Sequence, residues 1–429
     1  MDHRQASASR AAHDCRPRSS LGERLTAPAV APRVTVSPRE GSARYQLLDV
    51  FRGLACLMVV VHHAGYAIGW RDVAAASQFE AGLRGVVVLL VERLSLGVPL
   101  FFVISGYCIL ASVEATRRKG ASPWDFLGRR FWRIYPTYWV ALLGFIVIVA
   151  GLDAFGLKRL HCGTHAVKLA SPFALDFPRW VGNLTLTETW RPHVWGPARD
   201  VFTGVAWSLC YEEQFYFVCF LALVLAPRRM LAILATVTVG AIALRVGAWH
   251  AGCLSRIAGT FPLLWHQFAI GVVVYYRLNM ARSWQARLAW DLGLVAMLIA
   301  GLAGPDRETA TAAGFGILLV ALRRWDERAE AIAWLKPLRA CGLRCYSIYL
   351  VHLPVCVVGS LGLYELGLTS FWGRVLVMIP IDLAVSVAVS WAFFDLVESR
   401  VLAPPVFRRN PAGGLPTMSL VGKVVRLRA

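Results

Sequence analysis

The first apolar block of the chain reads Leu48-Asp49-Val50-Phe51-Arg52-Gly53-Leu54-Ala55-Cys56-Leu57-Met58-Val59-Val60-Val61-His62-His63. It continues without further charge to position 68, and about 20 such residues cross a hydrocarbon core of ~30 Å as a helix. Similar blocks recur along the 429 residues, of which 57% are hydrophobic, whereas soluble domains are ~45–50% apolar. This composition excludes a secreted disulfide scaffold, a disordered chain and an ordinary soluble enzyme. It predicts an all-α, polytopic membrane protein.

About ten membrane-spanning helices are predicted, of which the eighth is the shortest. They cover residues 48–68, 95–114, 134–152, 204–226, 230–249, 259–277, 288–304, 310–322, 345–363 and 374–397. Residues 83–91 are apolar but too short to cross, so we expect them to lie at the membrane surface or to dip into it. Basic residues gather in alternate loops and in both terminal segments. Because cytoplasmic loops carry the excess of Lys and Arg, both termini are predicted to be cytoplasmic.

The membrane domain is predicted to occupy residues 45–400. Residues 1–44 are rich in Ala, Ser, Arg and Pro without an apolar period, which predicts a disordered cytoplasmic tail. Residues 401–429 are expected to form a basic cytoplasmic tail. No cleavable signal is evident near the start, so the first span is expected to direct insertion. The long external segment 153–203 is rich in Pro, Trp and His, and we expect it to fold over the membrane face.

The formal charge of +19 first suggests a nucleic-acid partner. The basic residues, however, lie in the two tails and in short loops between apolar blocks. No nucleic-acid recognition motif or aromatic platform accompanies them. We therefore expect no nucleic-acid partner and interpret the charge mainly as an orientation signal.

Cysteine and histidine spacing gives no clear metal site. The ten Cys show no zinc-type spacing, and most lie inside apolar segments, where Cys acts as a small hydrophobe. Cys162 and Cys253 fall in loops predicted to be external, where they could pair. His161 and His165 are four residues apart, but a polar loop explains them without a third ligand. No metal is expected.

Charged residues inside a span are costly, so each is a functional candidate. Arg52 and His63 are eleven positions apart, close to three helical turns, and should share one face of the first span about 16 Å apart. Asp49, one turn before Arg52, can pair with it. His63 is a candidate general base. The alternative is a core histidine that is bonded to a neighbour.

The next two blocks supply small and basic residues. Gly97, Pro99 and Gly106 permit a broken or closely packed helix, and Ser105 offers a hydroxyl at depth. Helix packing alone would also explain this block. At the start of the third span, the sequence Arg129-Arg130-Phe131-Trp132-Arg133 places two guanidinium groups one turn apart, suited to one anionic group. Basic residues at a cytoplasmic boundary are the alternative explanation.

Two later spans carry further polar groups. Glu212 and Glu213 are adjacent in an apolar helix and must point to different faces, so packing against lipid does not explain both. In the ninth span, Tyr349 lies one turn before His352. A last block, Phe394-Asp395-Leu396-Val397-Glu398-Ser399-Arg400, ends the tenth span.

In order and spacing, these blocks resemble the acyltransferase 3 family, the integral-membrane acyltransferases that modify bacterial polysaccharides and other exported molecules. The resemblance covers residues about 45–400. It places His63 at the position of the family's essential first-helix histidine. Arg130 and Arg133 correspond to its RxxR pair, which the family is thought to use on the acyl-CoA donor.

The remaining family blocks are also present. Glu212 matches the acid of the WSLxxExxFY block, and Ser105 lies in the FFxxSGF-like block. Tyr346 and His352 match the YSxYLxH block. Many relatives have Pro two residues after the acid of the terminal block, where this chain has Arg400 after Glu398, so the resemblance does not define a role for Glu398.

The resemblance implies an enzyme of the bacterial inner membrane, an O-acyltransferase and most simply an O-acetyltransferase. It would move an acetyl or other short acyl group from cytoplasmic acyl-CoA to a hydroxyl of an exported or lipid-linked glycan. We expect no permanently bound cofactor, with acetyl-CoA as donor substrate and membrane lipid around the protein. Catalytic roles are expected for Arg52, His63 and Glu212, donor binding for Arg129, Arg130 and Arg133, and supporting roles for Asp49, Ser105, Tyr346 and His352.

A transporter is the alternative function, because intramembrane His, Glu and Arg also relay protons or bind substrates. Transporters usually carry an internal repeat with paired broken helices, and no such symmetry is evident here. Some relatives carry an SGNH-type hydrolase domain after the membrane unit. The sequence shows none, so we expect any such second step to be missing or to be performed by a partner, which could be periplasmic.

Overall fold

The structure is a computed structural model of the chain, and it describes residues 45–67, 69, 77–160, 171–304 and 306–402. Across these residues the regular elements are helices, without a strand, so the predicted all-α class is confirmed. The predicted tails, 1–44 and 401–429, lie outside the described residues except for positions 401 and 402. His161, Cys162 and His165 lie outside them as well, and so does the suggested pair of Cys162 with Cys253.

The helices of the described region are, in chain order, α1 (Leu47–Tyr66), α2 (Gln78–Arg93), α3 (Gly97–Arg118), α4 (Pro123–Ala154), α5 (Phe177–Leu184), α6 (Trp207–Leu225), α7 (Met230–His250), α8 (Trp265–Asn279), α9 (Trp284–Ala303), α10 (Arg307–Leu322), α11 (Asp326–Ala331), α12 (Lys336–Leu343), α13 (Cys345–Glu365) and α14 (Phe371–Leu402). Two π-helical stretches interrupt α14, at Arg374–Met378 and Phe394–Glu398. Short 3-10 turns join several of the other helices.

Eight helical stretches in the described region are long and apolar enough to cross a membrane. The predicted sixth and eighth spans coincide with α8 and α10, which have only 15 and 16 residues. A total of ten spans and the cytoplasmic termini therefore stay predictions. Residues 83–91 lie in α2, which continues through a 3-10 turn into α3 as one stretch of 41 residues.

Glycines allow the central helices to approach closely. A Cβ on Gly342 of α12 would lie 1.6 Å from the Asp49 carbonyl oxygen of α1, and one on Gly53 would lie 1.9 Å from the Leu338 carbonyl oxygen. At the crossing of α3 and α8, a Cβ on Gly106 would lie 2.1 Å from the Phe268 carbonyl oxygen. In a membrane, lipid provides no hydrophobic driving force for one helix to pack against another. Small residues such as these favour packing because they let the two backbones approach closely. As a result α1 packs against α3, α12, α13 and α14.

The described part of the external segment is folded, as its composition predicted. Arg191 and Glu188 form an ion pair with 2.8 Å between nitrogen and oxygen, and both side chains are buried. Arg191 also donates to the carbonyl oxygens of Trp195 and Pro197. The Tyr138 hydroxyl of α4 donates to the Asn183 carbonyl oxygen over 2.8 Å. These bonds fix the segment to the helix bundle and to itself.

Candidate active site

A cavity of about 130 Å³ lies among α1, α3, α4, α6 and α13. Most of its surface is apolar, and its polar groups come from the blocks that the sequence singled out. Six predicted site residues line it: Arg52, Ser105, Arg130, Arg133, Glu212 and Tyr346. The tertiary structure therefore gathers most of the predicted site around one space.

Arg52 is held on two sides at the wall of this cavity. Its Nη1 donates to Oδ1 of Asp49 at 2.9 Å, so the ion pair predicted from the one-turn spacing is confirmed. Its Nη2 lies 2.9 Å from Sγ of Cys108. Cys108 and Cys345 both line the cavity, although sequence reasoning treated such cysteines only as small hydrophobes. The guanidinium position is thus fixed by groups of α1 and α3.

The three arginines at the start of α4 have different surroundings. Arg130 is 9% exposed and stacks over the rings of Phe126 and Tyr216, 5.8 and 5.3 Å from their centroids. Arg133, one turn later, is exposed and also lines the cavity. Arg129 does not line the cavity but donates to Oγ1 of Thr116 at 2.6 Å. The arrangement separates Arg129 from the pair that faces the cavity.

Glu212 accepts two hydrogen bonds inside the cavity. Oγ of Ser105 lies 2.8 Å from its Oε1, and the hydroxyl of Tyr216 lies 2.5 Å from the same atom. Glu212 was predicted to have a catalytic role together with Arg52 and His63. Among the described residues no bond to His63 is found, while Arg130 is near enough to interact electrostatically. Tyr216 was missed as a site residue, although its four-residue spacing from Glu212 would have indicated the contact.

His63 is paired with His352 rather than with a carboxylate. Nε2 of His352 lies 3.3 Å from Nδ1 of His63, and the ring centroids are 5.1 Å apart. Nδ1 of His63 also lies 3.0 Å from the Val59 carbonyl oxygen, and Nδ1 of His352 lies 2.9 Å from that of Ile348. A carbonyl oxygen only accepts hydrogen bonds, so the network assigns a proton to Nδ1 of each ring. Nε2 of His63 is then the unprotonated nitrogen, and it is free to act as a base.

The histidine pair lies just beyond the cavity. Val59 of α1 and Tyr349 of α13 line its wall, whereas His63 and His352, which follow them by about one turn, do not. Adjacent His62 has a different environment, since its Nδ1 lies 3.2 Å from the Val91 carbonyl oxygen of α2. His62 is thus bonded to α2, whereas His63 lies in the last turn of α1 beside His352.

Further polar contacts position α13 against its neighbours. The Tyr346 hydroxyl donates to the Ile134 carbonyl oxygen of α4 at 2.9 Å, and that of Tyr349 lies 2.9 Å from Oγ of Ser208 on α6. Glu398, in the second π-helical stretch of α14, accepts from the backbone nitrogen and the hydroxyl of Ser347. Tyr346 and Glu398 thus orient the helix that carries His352.

In the part of the chain that the structure describes, the side chains do not form an evident set of metal ligands. No group of three or more His, Cys, Asp or Glu residues is arranged there to hold a metal ion. The cavity and the adjacent histidine pair supply an imidazole base, three arginines and a hydrogen-bonded carboxylate.

Fold and site together define a polytopic membrane enzyme whose reactive groups lie between helices. Residues 45–394 match the acyltransferase 3 family, described as an acyltransferase domain. The chain belongs to the acyltransferase 3 family, and it is an O-acyltransferase.

One of three curated relatives has a description that concerns acyl transfer. A proposed membrane-bound transacylase of Komagataeibacter xylinus, BcsY, is 28% identical over 400 residues, which cover 87% of this chain and 88% of the relative. The regulator of hypoxia-inducible factor 1 of Caenorhabditis elegans is 25% identical over 48% of this chain and 40% of its own length. Protein 2 in the picA locus of Rhizobium radiobacter is 30% identical over 39% of this chain and 77% of its own length. No solved structure matches the chain significantly. The transporter alternative is not favoured.

Proposed function

We propose that the protein transfers a short acyl group, most simply acetyl, from cytoplasmic acyl-CoA to a hydroxyl of an exported or lipid-linked glycan at the bacterial inner membrane. The donor would bind at the end of the cavity formed by Arg130 and Arg133. The acceptor would reach His63 from the opposite side. His63 lies between the two because it follows the last α1 residue of the cavity wall by about one turn.

The observation that carries this proposal is the absence, among the described residues, of direct partners for the two cavity arginines of α4, on which Glu212 and Glu398 act only at longer range. Within the described region, neither Arg130 nor Arg133 has an ion pair or hydrogen bond, although Glu212 offsets part of the charge on Arg130. Nearby Arg117, by contrast, pairs with Glu114 at 2.7 Å. Guanidinium groups that face a cavity without a direct ion pair or hydrogen bond favour an anion, and paired forks suit phosphate. Acyl-CoA supplies phosphates together with an acyl thioester.

The size of the cavity supports a short acyl group. Its volume of about 130 Å³ is close to the ~150 Å³ of a cavity that holds one benzene molecule. An acetyl group and the adjoining part of a pantetheine arm fit such a space, whereas a long fatty acyl chain does not. Arg52, fixed by Asp49 and Cys108, lies about 16 Å from His63 along α1, so it would supply positive charge to an anionic part of the donor rather than to the thioester itself.

His63 would act as the general base on the acceptor. Nε2 of His63 takes the hydroxyl proton while the acceptor oxygen attacks the thioester carbonyl carbon. The carbon–sulfur bond breaks, a carbon–oxygen ester bond forms, and the imidazolium returns the proton to the departing CoA thiolate. His352 accepts the Nδ1–H of His63 and would stabilise the imidazolium as it forms, acting as a positioning residue. Glu212 would hold Ser105 and Tyr216 and balance Arg130.

The proposal is tested with the full chain in nanodiscs, labelled acetyl-CoA and a membrane glycan extract. His63→Gln should reduce transfer by about 10²–10⁴-fold while the protein accumulates normally and still binds CoA. His62→Gln, the neighbouring control, should retain most of the activity. Transfer that survives His63→Gln would overturn the mechanism, and uptake of a solute without label transfer would favour the transporter.

A further inference from the structure

A second, larger cavity of about 630 Å³ lies among α4, α6, α7 and the external segment. We call it the α6–α7 groove. Glu213 lines it, whereas its neighbour Glu212 lines the cavity described above. The two adjacent carboxylates therefore line different cavities, and only Glu212 lines the cavity proposed to bind the acyl donor.

The polarity of the groove changes along α6. Polar side chains lie at the end nearest the external segment, supplied by Thr185, Thr187, Glu213 and Gln214. Toward the end of α6 the wall is apolar, formed by Val218, Leu221, Ala222, Leu225, Ile233 and Val237. From Glu213 to Leu225 the helix rises about 18 Å. The groove thus has the polarity of an amphipathic ligand with a polar head and an apolar chain.

The apolar part of the groove is open toward the side of the bundle. Phe217 is 54% exposed and Leu225 is 73% exposed, and both line the groove. Because α6 has the length and apolar character of a membrane span, this open side faces hydrocarbon rather than water. An alkyl chain can therefore enter the groove directly from the bilayer.

The charge of the polar end restricts the head group. One carboxylate oxygen of Glu213 is buried without a hydrogen-bond partner in the described region. No Lys or Arg is among the described residues that line the groove. The Tyr135 hydroxyl on the groove wall also lies close to the Glu213 carboxylate, which leaves the partnerless oxygen in need of a donor. Arg130 is near enough to act on Glu213, but the adjacent Glu212 acts on it more strongly in the opposite sense, so an anionic head group would meet net negative charge. An uncharged head with hydroxyl groups supplies the donor without the repulsion.

We propose that the α6–α7 groove binds the alkyl chain of an amphipathic lipid whose uncharged, hydroxyl-bearing head donates a hydrogen bond to Glu213. The site is separate from the donor cavity. It holds a lipid whether or not the acyl acceptor is itself lipid-linked, so the proposal stands independently of the proposed function.

The test is photolabelling of the full chain in phosphatidylcholine nanodiscs with two probes of equal chain length. One is a dodecyl glucoside with a diazirine near the end of the chain, and the other is the corresponding dodecyl phosphate. The glucoside should label peptides covering residues 217–225 and 233–237 at least about tenfold more than the phosphate does, equivalent to ~1.4 kcal/mol. Unlabelled dodecyl glucoside should compete this labelling away.

Substitutions separate the groove from the general lipid surface. Leu221→Trp fills the groove and should abolish competable labelling, whereas Val224→Trp changes an exposed α6 residue outside the groove and should not. Glu213→Gln keeps hydrogen bonding but removes the charge, so labelling by the phosphate should rise toward that by the glucoside. Equal labelling by both probes in the unchanged protein, or labelling that excess glucoside does not reduce, would overturn the proposal.

Discussion

Nε2 of His352 lies 3.3 Å from Nδ1 of His63, although 289 residues separate the two in sequence. Each ring is also anchored to the carbonyl oxygen four residues before it in its own helix. The pair therefore links α1 to α13 just beyond the cavity of the candidate active site. His63 is oriented so that its Nε2 has no hydrogen bond within the described region, and in the proposed mechanism His352 is its orienting partner.

His352→Phe should lower kcat of acetyl transfer by about tenfold, the value of one hydrogen bond of ~1–1.5 kcal/mol. Its KM for acetyl-CoA should hardly change, because His352 does not line the donor cavity. His352→Gln should restore much of kcat, since an amide oxygen can accept from Nδ1 of His63. Steady-state kinetics measure both parameters. A glutamine variant as slow as the phenylalanine variant would argue for a purely structural role.

The double substitution Arg130→Gln and Arg133→Gln should raise the KM for acetyl-CoA by about 10- to 100-fold, because a hydrogen bond to a charged group contributes ~1.5–3 kcal/mol. Here kcat should change much less. Lys119→Gln is the matched control, since it removes an exposed cation from the loop just before α4. If both proteins show the same modest increase in KM, general electrostatic attraction rather than a phosphate site explains the basic cluster.

Phe101→Ala should widen the donor cavity, which Phe101 lines. The ratio of kcat/KM for hexanoyl-CoA to that for acetyl-CoA should rise by at least about tenfold, since each buried methylene contributes ~0.8 kcal/mol. Phe131→Ala removes a ring that is 41% exposed on α4 and lies outside the cavity, so its ratio should stay unchanged. An unaltered ratio in both variants would show that this cavity does not hold the acyl chain.

Gly342→Ala should destabilise the protein by about 1–3 kcal/mol, the usual cost of overpacking. Its Cβ would lie 1.6 Å from the Asp49 carbonyl oxygen, so α1 and α12 would have to separate. Gly144→Ala in α4 is the control, because no atom lies within 4 Å of its Cβ and alanine favours a helix. Thermal unfolding in detergent should show a lower Tm for the first variant only. Equal Tm values would contradict the close α1–α12 contact.

Much of the fold follows from local sequence signals. Hydropathy and block length identify most of the membrane helices, and the helical period predicts contacts within one helix. The Asp49–Arg52 pair is such a contact, and the Tyr216–Glu212 bond has a spacing that would have revealed it. The period also separates Glu212 from Glu213, which the structure places in two cavities.

Contacts between helices have no comparable local signal. Nothing near His63 in the chain indicates that His352 is its partner, or that Ser105 rather than His63 meets Glu212. The sequence also does not fix the number of membrane spans, because α8 and α10 are shorter than the usual span.

The sequence by itself determined a helical membrane protein, its family and the residue types of the site, because hydropathy, helical period and motif spacing are properties of neighbouring residues. Only the tertiary structure decided which of those residues meet. Those contacts depend on how closely helices cross, as α3 and α8 do at Gly106 and α1 and α12 do at Gly342. Crossing distance and angle arise from packing along both helices at once, so they appear only when the whole bundle is assembled.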